Sequence, residues 1–210
     1  GGRPVVAVLK LTVPADSPAL IESKSLKLYL NSFSMSRYSG SAEVRALLHE
    51  DLSAAAGSTV DVQLITSSAG ARIHDLPGEC IDAEDTTCED YDANANLLRS
   101  SQEVVSETLH SPLLRSLCPV TGQPDTGSVL IRYRGPRIER AALLRYLVSY
   151  RRHCDFHELC VERIFMDLQT HCGARELTVY ARYNRRGGID INPFRSNVET
   201  DVPDLRLWRQ

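Results

Sequence analysis

Several features that define common protein classes are missing from this sequence of 210 residues. No apolar run approaches the roughly 20 residues that a transmembrane helix needs, so we expect no membrane span. No basic stretch followed by an apolar one opens the chain, which argues against a secretory signal. The chain also begins at Gly1 without an initiator Met, and we therefore expect that an upstream segment is missing.

No Gly-x-Gly-x-x-Gly pattern follows a predicted strand, so we expect any dinucleotide to be held in a way that differs from the Rossmann fold. A strong charge of either sign is lacking too, because the formal net charge is only −3. This balance gives no global reason to expect a polyanionic partner. Hydrophobic residues make up 42% and charged residues 24% of the chain, which is typical of a globular protein and excludes a disordered one.

The six cysteines lack the closely spaced Cys-x-x-Cys pairs that are typical of zinc sites. Without a secretory signal, we expect reduced thiols in a cytoplasmic protein rather than a disulfide framework. Cys154, His157 and Cys160 could share one helical face and hold a metal ion. We favour the alternative that Cys160 is a small buried apolar residue, and we expect no metal site.

Apolar spacing predicts an α+β protein of two successive modules with the order ββααββ, each an antiparallel sheet with two helices on one face. The first module has a predicted strand over 4–13, helices over 26–33 and 42–56, and a strand over 60–65. A polar, acidic connection follows over 78–96. The second module has predicted strands over 104–114 and 128–134, helices over 140–150 and 156–171, and strands over 176–183 and 188–194.

The two halves also match each other at one constant offset without gaps. This offset aligns residues 29–33 with residues 146–150, and the following helix and strand stay in register. A repeated order of elements indicates a duplication. We therefore expect two domains: residues 1–96, which include the connecting loop and lack their first strand, and residues 97–210.

Residues 118–125, Cys-Pro-Val-Thr-Gly-Gln-Pro-Asp, form the most unusual segment of the chain. Two prolines and a glycine predict a rigid loop between two strands. A single cysteine is most often structural, but here the carboxylate of Asp125 follows the Cys118 thiol on one stiff loop. That arrangement is typical of a nucleophile with a nearby proton donor or acceptor, although Asp125 could also be a simple turn residue.

The string Phe156-His157-Glu158 opens a strongly amphipathic predicted helix. Glu158 could be an ordinary first-turn acid that the helix dipole favours. Alternatively, its carboxylate could accept hydrogen bonds from paired N–H donors, such as those on the edge of a guanine-like base.

Two further strings have polar and basic residues that suit an anionic ligand. In the first, Ser23 or Ser25 could cap the following helix, whereas Lys24 and Lys27 would suit a phosphate-bearing ligand. The second, residues 185–188, reads Arg-Arg-Gly-Gly. It is either an ordinary hairpin turn or a phosphate-binding turn, in which Arg contacts the phosphate and glycine lets the backbone come close to it.

The strings over 22–29, 118–125, 156–158 and 185–193 together resemble the 7-cyano-7-deazaguanine reductases, the nitrile reductases of the queuosine pathway of tRNA modification. Their order is similar to that of the longer, two-module branch of this family. The resemblance implies the tunnelling fold (T-fold) and a small deazapurine substrate. It also implies a cytoplasmic homodimer with no direct contact to nucleic acid.

The resemblance further implies a set of residue roles. The Cys118 thiolate would add to the nitrile carbon to give a thioimidate, Asp125 would supply the proton, and two NADPH would be consumed for each amine formed. The implied substrate-binding residues are Ile21, Glu22, Ser23, His157 and Glu158. The implied cofactor-binding residues are Ser23, Lys24, Arg186 and Gly187.

The two halves carry complementary polar residues. At the constant offset Lys24 aligns with Ala141, and Glu158 aligns with Ser41. Each half therefore has the polar set that the other lacks. We expect one composite site that draws on both modules.

Three alternatives stay open from the sequence. Another T-fold enzyme of purine or pterin chemistry, such as a GTP cyclohydrolase, would need a Cys/His set for a zinc-activated water. A non-catalytic purine-binding module would not need Cys118. A thiol hydrolase would pair Cys118 with His157 and cleave esters or amides without a nicotinamide cofactor.

Overall fold

A computed structural model describes residues 3–69 and 71–210 of the chain. The chain divides into two compact units, residues 1–71 and residues 72–210. Both combine helices with antiparallel strands, so the predicted α+β class is confirmed. Among the described residues, no helix is both long and apolar enough to cross a bilayer.

The first unit has two strands with two helices between them. The elements are β1 (Val8–Thr12), α1 (Ser23–Ser32), α2 (Ser41–Ala56) and β2 (Asp61–Ile65). β1 and β2 pair antiparallel, and the apolar face of α2 packs on β2. Helix α2 ends at Gly57, whose φ of 66° is the left-handed conformation that glycine adopts without strain.

The start of α1 differs from the prediction. Glu22, rather than Ser23 or Ser25, caps this helix, because its carboxylate accepts hydrogen bonds from the backbone N–H groups of Lys24 at 3.0 Å and Ser25 at 2.8 Å. The Ser25 hydroxyl also donates to Glu22, at 3.0 Å. A glutamate side chain is long enough to reach both N–H groups from the residue before the helix, so the serines lie inside the first turn.

The second unit is built on a five-stranded sheet with the strand order β3-β4-β5-β6-β7. Its elements are β3 (Glu79–Cys80), β4 (Ser100–Leu117), β5 (Pro124–Ile138), α3 (Arg140–Ser149), α4 (His157–Cys172), β6 (Glu176–Tyr183) and β7 (Phe194–Ser196). All neighbouring strands are antiparallel except β3 and β4. The ββααββ order predicted for this half is therefore present.

Strand β6 is buried on both faces, and its successive side chains alternate between the two. Leu177, Val179, Ala181 and Tyr183 lie in the core that the helices cover. On the other face, Tyr180 donates to the Pro203 carbonyl and Arg182 pairs with Asp204, so the last residues of the chain cover this side.

The last strand is shorter than predicted. We expected it over 188–194, but β7 begins at Phe194. Gly187 and Gly188 both adopt positive φ, which belongs to a tight turn, and Pro193 has no N–H to donate to a ladder.

The helical elements of the two units recur in the same order. α1 and the 3₁₀ turn after it match α3 and its 3₁₀ turn at the offset found in the sequence. The edge-to-face ring pair Tyr29–Phe33 has its counterpart in Tyr146–Tyr150. Residues 72–96 group with the second unit, and Ile81 is part of its core. The boundary between the two compact units therefore lies before residue 72, whereas the predicted domain boundary lies after residue 96. The interpretation as two T-fold modules stays a prediction.

A substitution at Gly78 tests the packing of β3 on β4. Gly78 has a φ of 90°, and a Cβ there would lie 2.2 Å from the carbonyl oxygen of Thr108. Gly188 has the same φ, but its Cβ position is open. We expect Gly78→Ala to lower the free energy of unfolding by about 2 kcal/mol more than Gly188→Ala, because only the first adds a backbone clash to the strain of positive φ. Equal unfolding midpoints in denaturant would contradict this assignment.

Candidate active site

Cys118 occupies the first position after β4, in a short loop that leads directly into β5. The loop is closed by two backbone hydrogen bonds, from Cys118 N to Gln123 O at 2.9 Å and from Gly122 N to Cys118 O at 2.8 Å. Gly122 adopts a φ of 66°, which this tight closure requires. The side chain of Cys118 is only 3% exposed. The predicted rigid loop between two strands is therefore present.

The surroundings of Cys118 favour its thiolate. Burial alone would raise the pKa of this thiol. Hydrogen bonds from the Thr121 hydroxyl, the Arg186 guanidinium and the backbone N–H groups of Thr121 and Val120 outweigh burial and lower the pKa to about 6. A cysteine with such a pKa is largely ionised at neutral pH, which is the state that attacks electrophiles.

Asp125 is the second residue of β5 and is 6% exposed. Its carboxylate lies between two basic side chains: Arg186 Nη1 is 3.0 Å from Oδ1, and His157 Nε2 is 3.6 Å from Oδ2. A buried carboxylate with these neighbours can exchange a proton with a group bound above the loop.

His157 and Glu158 form the first turn of α4, and strand pairing brings this turn to the Cys118 loop. The Leu117 N–H donates to the His153 carbonyl at 2.8 Å, and the Asp155 N–H donates to the Leu117 carbonyl at 3.1 Å. The end of β4 therefore pairs with the residues that lead into α4. The His157 ring packs edge-to-face against Tyr183, with the ring centroids 4.1 Å apart.

Glu158 has a less polar environment than an ordinary first-turn acid. Burial raises the pKa of its carboxyl group, and the negative charge of Asp155 adds to this effect. The backbone N–H of Glu158 and the charge of Arg195 act in the opposite direction without cancelling it. A carboxylate that has lost much of its water gains more from paired N–H donors on a ligand than an exposed one does.

The turn at 186–189 brings a cation to the same loop. The N–H and carbonyl of Arg186 pair with those of Ile189, and Gly187 and Gly188 supply the two positive φ angles of the turn, 62° and 90°. The Arg186 side chain extends back to Asp125 and lies 3.4 Å from Gln123 Oε1. A residue expected to bind the cofactor therefore also contacts the catalytic candidates.

The remaining predicted residues belong to the first unit. Glu22 is the α1 cap, and its contacts with Lys24 N, Ser25 N and both side chains hold its pKa at about 2 despite some burial. Lys24 Nζ lies 3.3 Å from the Glu22 carboxylate. Ile21 packs against the core of the unit, and Ser23 opens the helix. Their roles in ligand binding stay predictions.

The sequence analysis missed three contributors to the site. Thr121 and Gln123 lie inside the recognised motif but had no role assigned, although a hydroxyl three positions after a cysteine in a tight turn can donate back to the sulfur. Tyr183 was interpreted only as a strand residue. Its contact with His157 depends on the pairing of β5 with β6, which no local pattern reveals.

The metal alternative for the cysteines is not favoured by the geometry. Cys160 is fully buried in the core, and burial raises its pKa to about 11, which confirms the prediction of a small apolar role. Cys154 precedes α4 and directs its thiol to the Cys118 carbonyl, at 3.7 Å. Within 3–69 and 71–210, no three His, Cys, Asp or Glu side chains are placed to share a metal ion.

A cysteine whose thiolate is favoured, on a rigid loop with a carboxylate, an imidazole and a guanidinium around it, is typical of enzymes that use a thiolate nucleophile. Comparisons with known proteins identify the family within this class. The family model described as "Nitrile reductase, 7-cyano-7-deazaguanine-reductase N-term" matches residues 1–64, and the model described as "QueF-like protein" matches residues 124–201.

Two curated relatives have the same name, NADPH-dependent 7-cyano-7-deazaguanine reductase. The protein from Chromohalobacter salexigens is 54% identical over 100% of this chain and 76% of its own length. The protein from Azoarcus sp. (strain BH72) is also 54% identical, over 93% of this chain and 70% of its own length. The chain belongs to the family of NADPH-dependent 7-cyano-7-deazaguanine reductases.

A solved structure of the archaeosine synthase QueF-Like in its apo form is a distant neighbour. It aligns with 50% of this chain and 100% of its own, at 16% identity and a TM-score of 0.40. This likeness is too remote to bear on the site.

Proposed function

We propose that this chain reduces the nitrile of 7-cyano-7-deazaguanine to the primary amine of 7-aminomethyl-7-deazaguanine, with NADPH as reductant and Cys118 as nucleophile. Family membership at 54% identity supports the reaction. The observation that supports the role of Cys118 most directly is its burial beside Asp125 and Arg186 with a pKa lowered to about 6.

The first step joins the substrate to the protein. The Cys118 thiolate adds to the nitrile carbon, so a C–S bond forms and C≡N becomes C=N. Asp125 relays a proton to the nitrogen as the C–S bond forms, which makes the step, counted from the thiol, a net addition of S–H across the nitrile. The covalent thioimidate keeps the substrate in place for reduction.

The remaining steps convert the carbon to the level of an amine. NADPH supplies hydride when bound, and the conversion of nitrile to amine needs four electrons, hence two NADPH. After the first reduction the C–S bond breaks and Cys118 leaves as a thiolate, which its lowered pKa favours. Asp125 and His157 would return protons to the nitrogen, and the 3.6 Å between His157 Nε2 and Asp125 Oδ2 supports a shared proton path.

The chemistry of the donor set suits both ligands. The Glu158 carboxylate would accept from the two N–H groups of the deazaguanine edge, with His157 beside it. Ile21, Glu22 and Ser23 of the first unit stay the further predicted substrate contacts. Arg186 is one-third exposed beside an open glycine turn, which suits a phosphate. Gly187 would let the backbone of this turn approach the NADPH phosphates. Ser23 and Lys24 of the first unit stay the further predicted cofactor contacts.

The same proposal includes the assembly and location that the family resemblance implies. We expect a homodimer of two-module subunits in the cytoplasm, acting on a small molecule without contact to nucleic acid or membrane. The five-stranded sheet ends in the edge strands β3 and β7, and such edges are commonly closed by pairing or by symmetry-related contacts, which supports self-association.

Intact-protein mass tests the covalent step. With 7-cyano-7-deazaguanine and no NADPH, the protein is expected to gain the mass of one substrate, and addition of NADPH is expected to discharge it. Cys118→Ala removes the nucleophile and is expected to give no adduct. Cys154→Ala, which changes a neighbouring thiol, is the matched control and is expected to react like the wild type.

Each alternative function has its own signature in that experiment. A folded wild-type protein that binds the nitrile without mass gain and oxidises no NADPH would be a purine-binding module. Cleavage of esters or amides in the absence of NADPH, lost in Cys118→Ala, would identify a thiol hydrolase. Bound zinc together with release of formate from GTP would indicate a cyclohydrolase.

A further inference from the structure

The Arg186 guanidinium contacts more of the reaction centre than a purely cofactor-binding residue needs to. It lies 3.0 Å from the Asp125 carboxylate and 3.4 Å from Gln123 Oε1, and it donates a hydrogen bond to the Cys118 sulfur. Cys118 and Asp125 are almost fully buried, whereas one-third of the Arg186 side chain stays exposed. Arg186 is therefore the partly exposed member of this cluster.

The turn that carries Arg186 is held by a network of its own. Asp190 accepts two hydrogen bonds from Arg185, at 2.9 and 3.1 Å, and one from Asn192 at 2.8 Å. Gln210 then ties this turn to β6, because its amide donates to the Tyr183 carbonyl at 3.0 Å and to Asn192 at 2.9 Å. Arg186 thus approaches the loop from an anchored turn.

A cation at this position has a large electrostatic effect on a buried thiol. Charges interact more strongly where water is excluded, and a guanidinium beside sulfur favours the thiolate over the thiol. The pairing with Asp125 keeps the guanidinium oriented toward the loop.

We propose that Arg186 is a catalytic residue of the covalent step: its guanidinium stabilises the Cys118 thiolate that attacks the nitrile before NADPH is bound. The inference deepens the proposed function and rests on it. The step itself is unchanged, since Arg186 neither gains nor loses a proton. Its positive charge compensates the negative charge on sulfur until the C–S bond forms.

Other titratable groups surround the loop and must be considered in any pH profile. Asp125 comes from β5, His157 and Cys160 from α4, and Cys154 and Asp155 from the segment that pairs with Leu117. Loss of Arg186 would leave the Asp125 carboxylate without its cation. That charge would then disfavour the thiolate further, so both consequences raise the pKa of Cys118.

The test compares Arg186→Gln with the wild type in the absence of NADPH. The rate of adduct formation in the wild type is expected to rise with pH and level off above about 6, the pKa of Cys118. In Arg186→Gln the midpoint is expected to move up by about one unit or more, with a loss of about 10-fold at pH 6 and a much smaller loss at pH 9. Arg186→Lys keeps the positive charge but lacks the planar guanidinium, so its midpoint is expected to lie between those of the wild type and Arg186→Gln.

Arg134→Gln is the charge-matched control. Arg134 is a well-exposed residue of β5 that pairs with Glu176, and its loss is expected to leave the profile unchanged. If the Arg186→Gln profile coincides with that of the wild type and only the KM for NADPH rises, Arg186 serves the cofactor alone and the inference is wrong.

Alkylation separates this inference from the proposed function. The pH dependence of iodoacetamide labelling, followed on the peptide that contains Cys118, reports the thiolate without any nitrile chemistry. A wild type that forms no adduct would defeat the proposed function, while a raised labelling midpoint in Arg186→Gln would still support the contact between Arg186 and Cys118. An unshifted labelling midpoint would overturn the role of Arg186 even if the reductase activity is established.

Discussion

Asp125→Asn is expected to lower kcat for nitrile reduction by about 10²- to 10⁴-fold, the usual range for loss of a positioned proton donor. The amide keeps the shape of the carboxylate and can still accept a hydrogen bond from Arg186, 3.0 Å from Oδ1 in the native protein. It cannot take up the thiol proton or deliver it to the nitrile nitrogen. Steady-state kinetics with saturating nitrile and NADPH gives the measurement.

Asp155→Asn is the matched control for this substitution. Asp155 is a second aspartate close to the Cys118 loop, and its side chain accepts from the Phe156 N–H at 2.9 Å, a bond that an amide oxygen can also accept. We expect it to change kcat by less than about threefold, because it holds no proton of the reaction. If Asp125→Asn kept more than a tenth of the activity, the proton would have to come from another group, and His157 would be the first to test.

The reaction step that Asp125→Asn slows can also be predicted. Without NADPH, Asp125→Asn is expected to form the covalent adduct more slowly than the wild type, since the first proton is needed on nitrogen. Its Cys118 thiolate is expected to persist, because removal of the neighbouring carboxylate charge does not disfavour a second anion. Rapid labelling by iodoacetamide combined with slow nitrile capture would separate proton transfer from thiol activation.

Much of the fold could be predicted because its signals are local. Apolar periodicity predicted both helices of each half, and a glycine with positive φ follows both α2 and α4. Strands β4 and β5 extend well beyond the predicted segments. The ends of these strands contain polar residues, so a prediction based on apolar residues stops too early. Backbone pairing between the strands nevertheless continues to Leu117 and Pro124.

The candidate site could be predicted in its parts but not in its contacts. Cys118 and Asp125 lie at the two ends of one short connection between adjacent strands, so their proximity could be expected from the chain itself. The approach of Arg186 to Asp125 depends on the register that pairs Gly127 with Tyr183 and lets the next residues turn back over the loop. The approach of α4 depends on the bridge between Leu117 and Cys154, for which the sequence holds no distinctive signal.

Glu158→Gln is expected to lower kcat/KM for the deazapurine by about 100-fold. The carboxylate can accept two hydrogen bonds from the N–H groups of the base. The amide of glutamine can accept only one, and its NH2 group would face the second N–H of the base. One charge-assisted hydrogen bond of about 1.5 kcal/mol is lost, and the unpaired donors cost about 1 kcal/mol more, which together account for a loss of this size. The measurement is kcat/KM at fixed NADPH, with the amount of covalent adduct as a second readout.

A substrate analogue provides the control for Glu158. In a nitrile that lacks the exocyclic amino group, one of the two N–H donors is gone, so the wild type is expected to lose affinity while Glu158→Gln loses little more. Equal penalties from the analogue in both proteins would show that Glu158 does not contact that edge.

The raised pKa of Glu158 adds a pH dependence of known sign. Burial favours the protonated acid in the ligand-free protein, whereas the base binds the ionised form. Affinity for the deazapurine is therefore expected to fall as the pH decreases through this raised pKa and to become constant above it. Glu158→Gln has no group to titrate at this position, so its weaker binding is expected to lack that dependence. If the affinity of the wild type did not change on acidification, Glu158 would not be the residue that binds the N–H groups of the base.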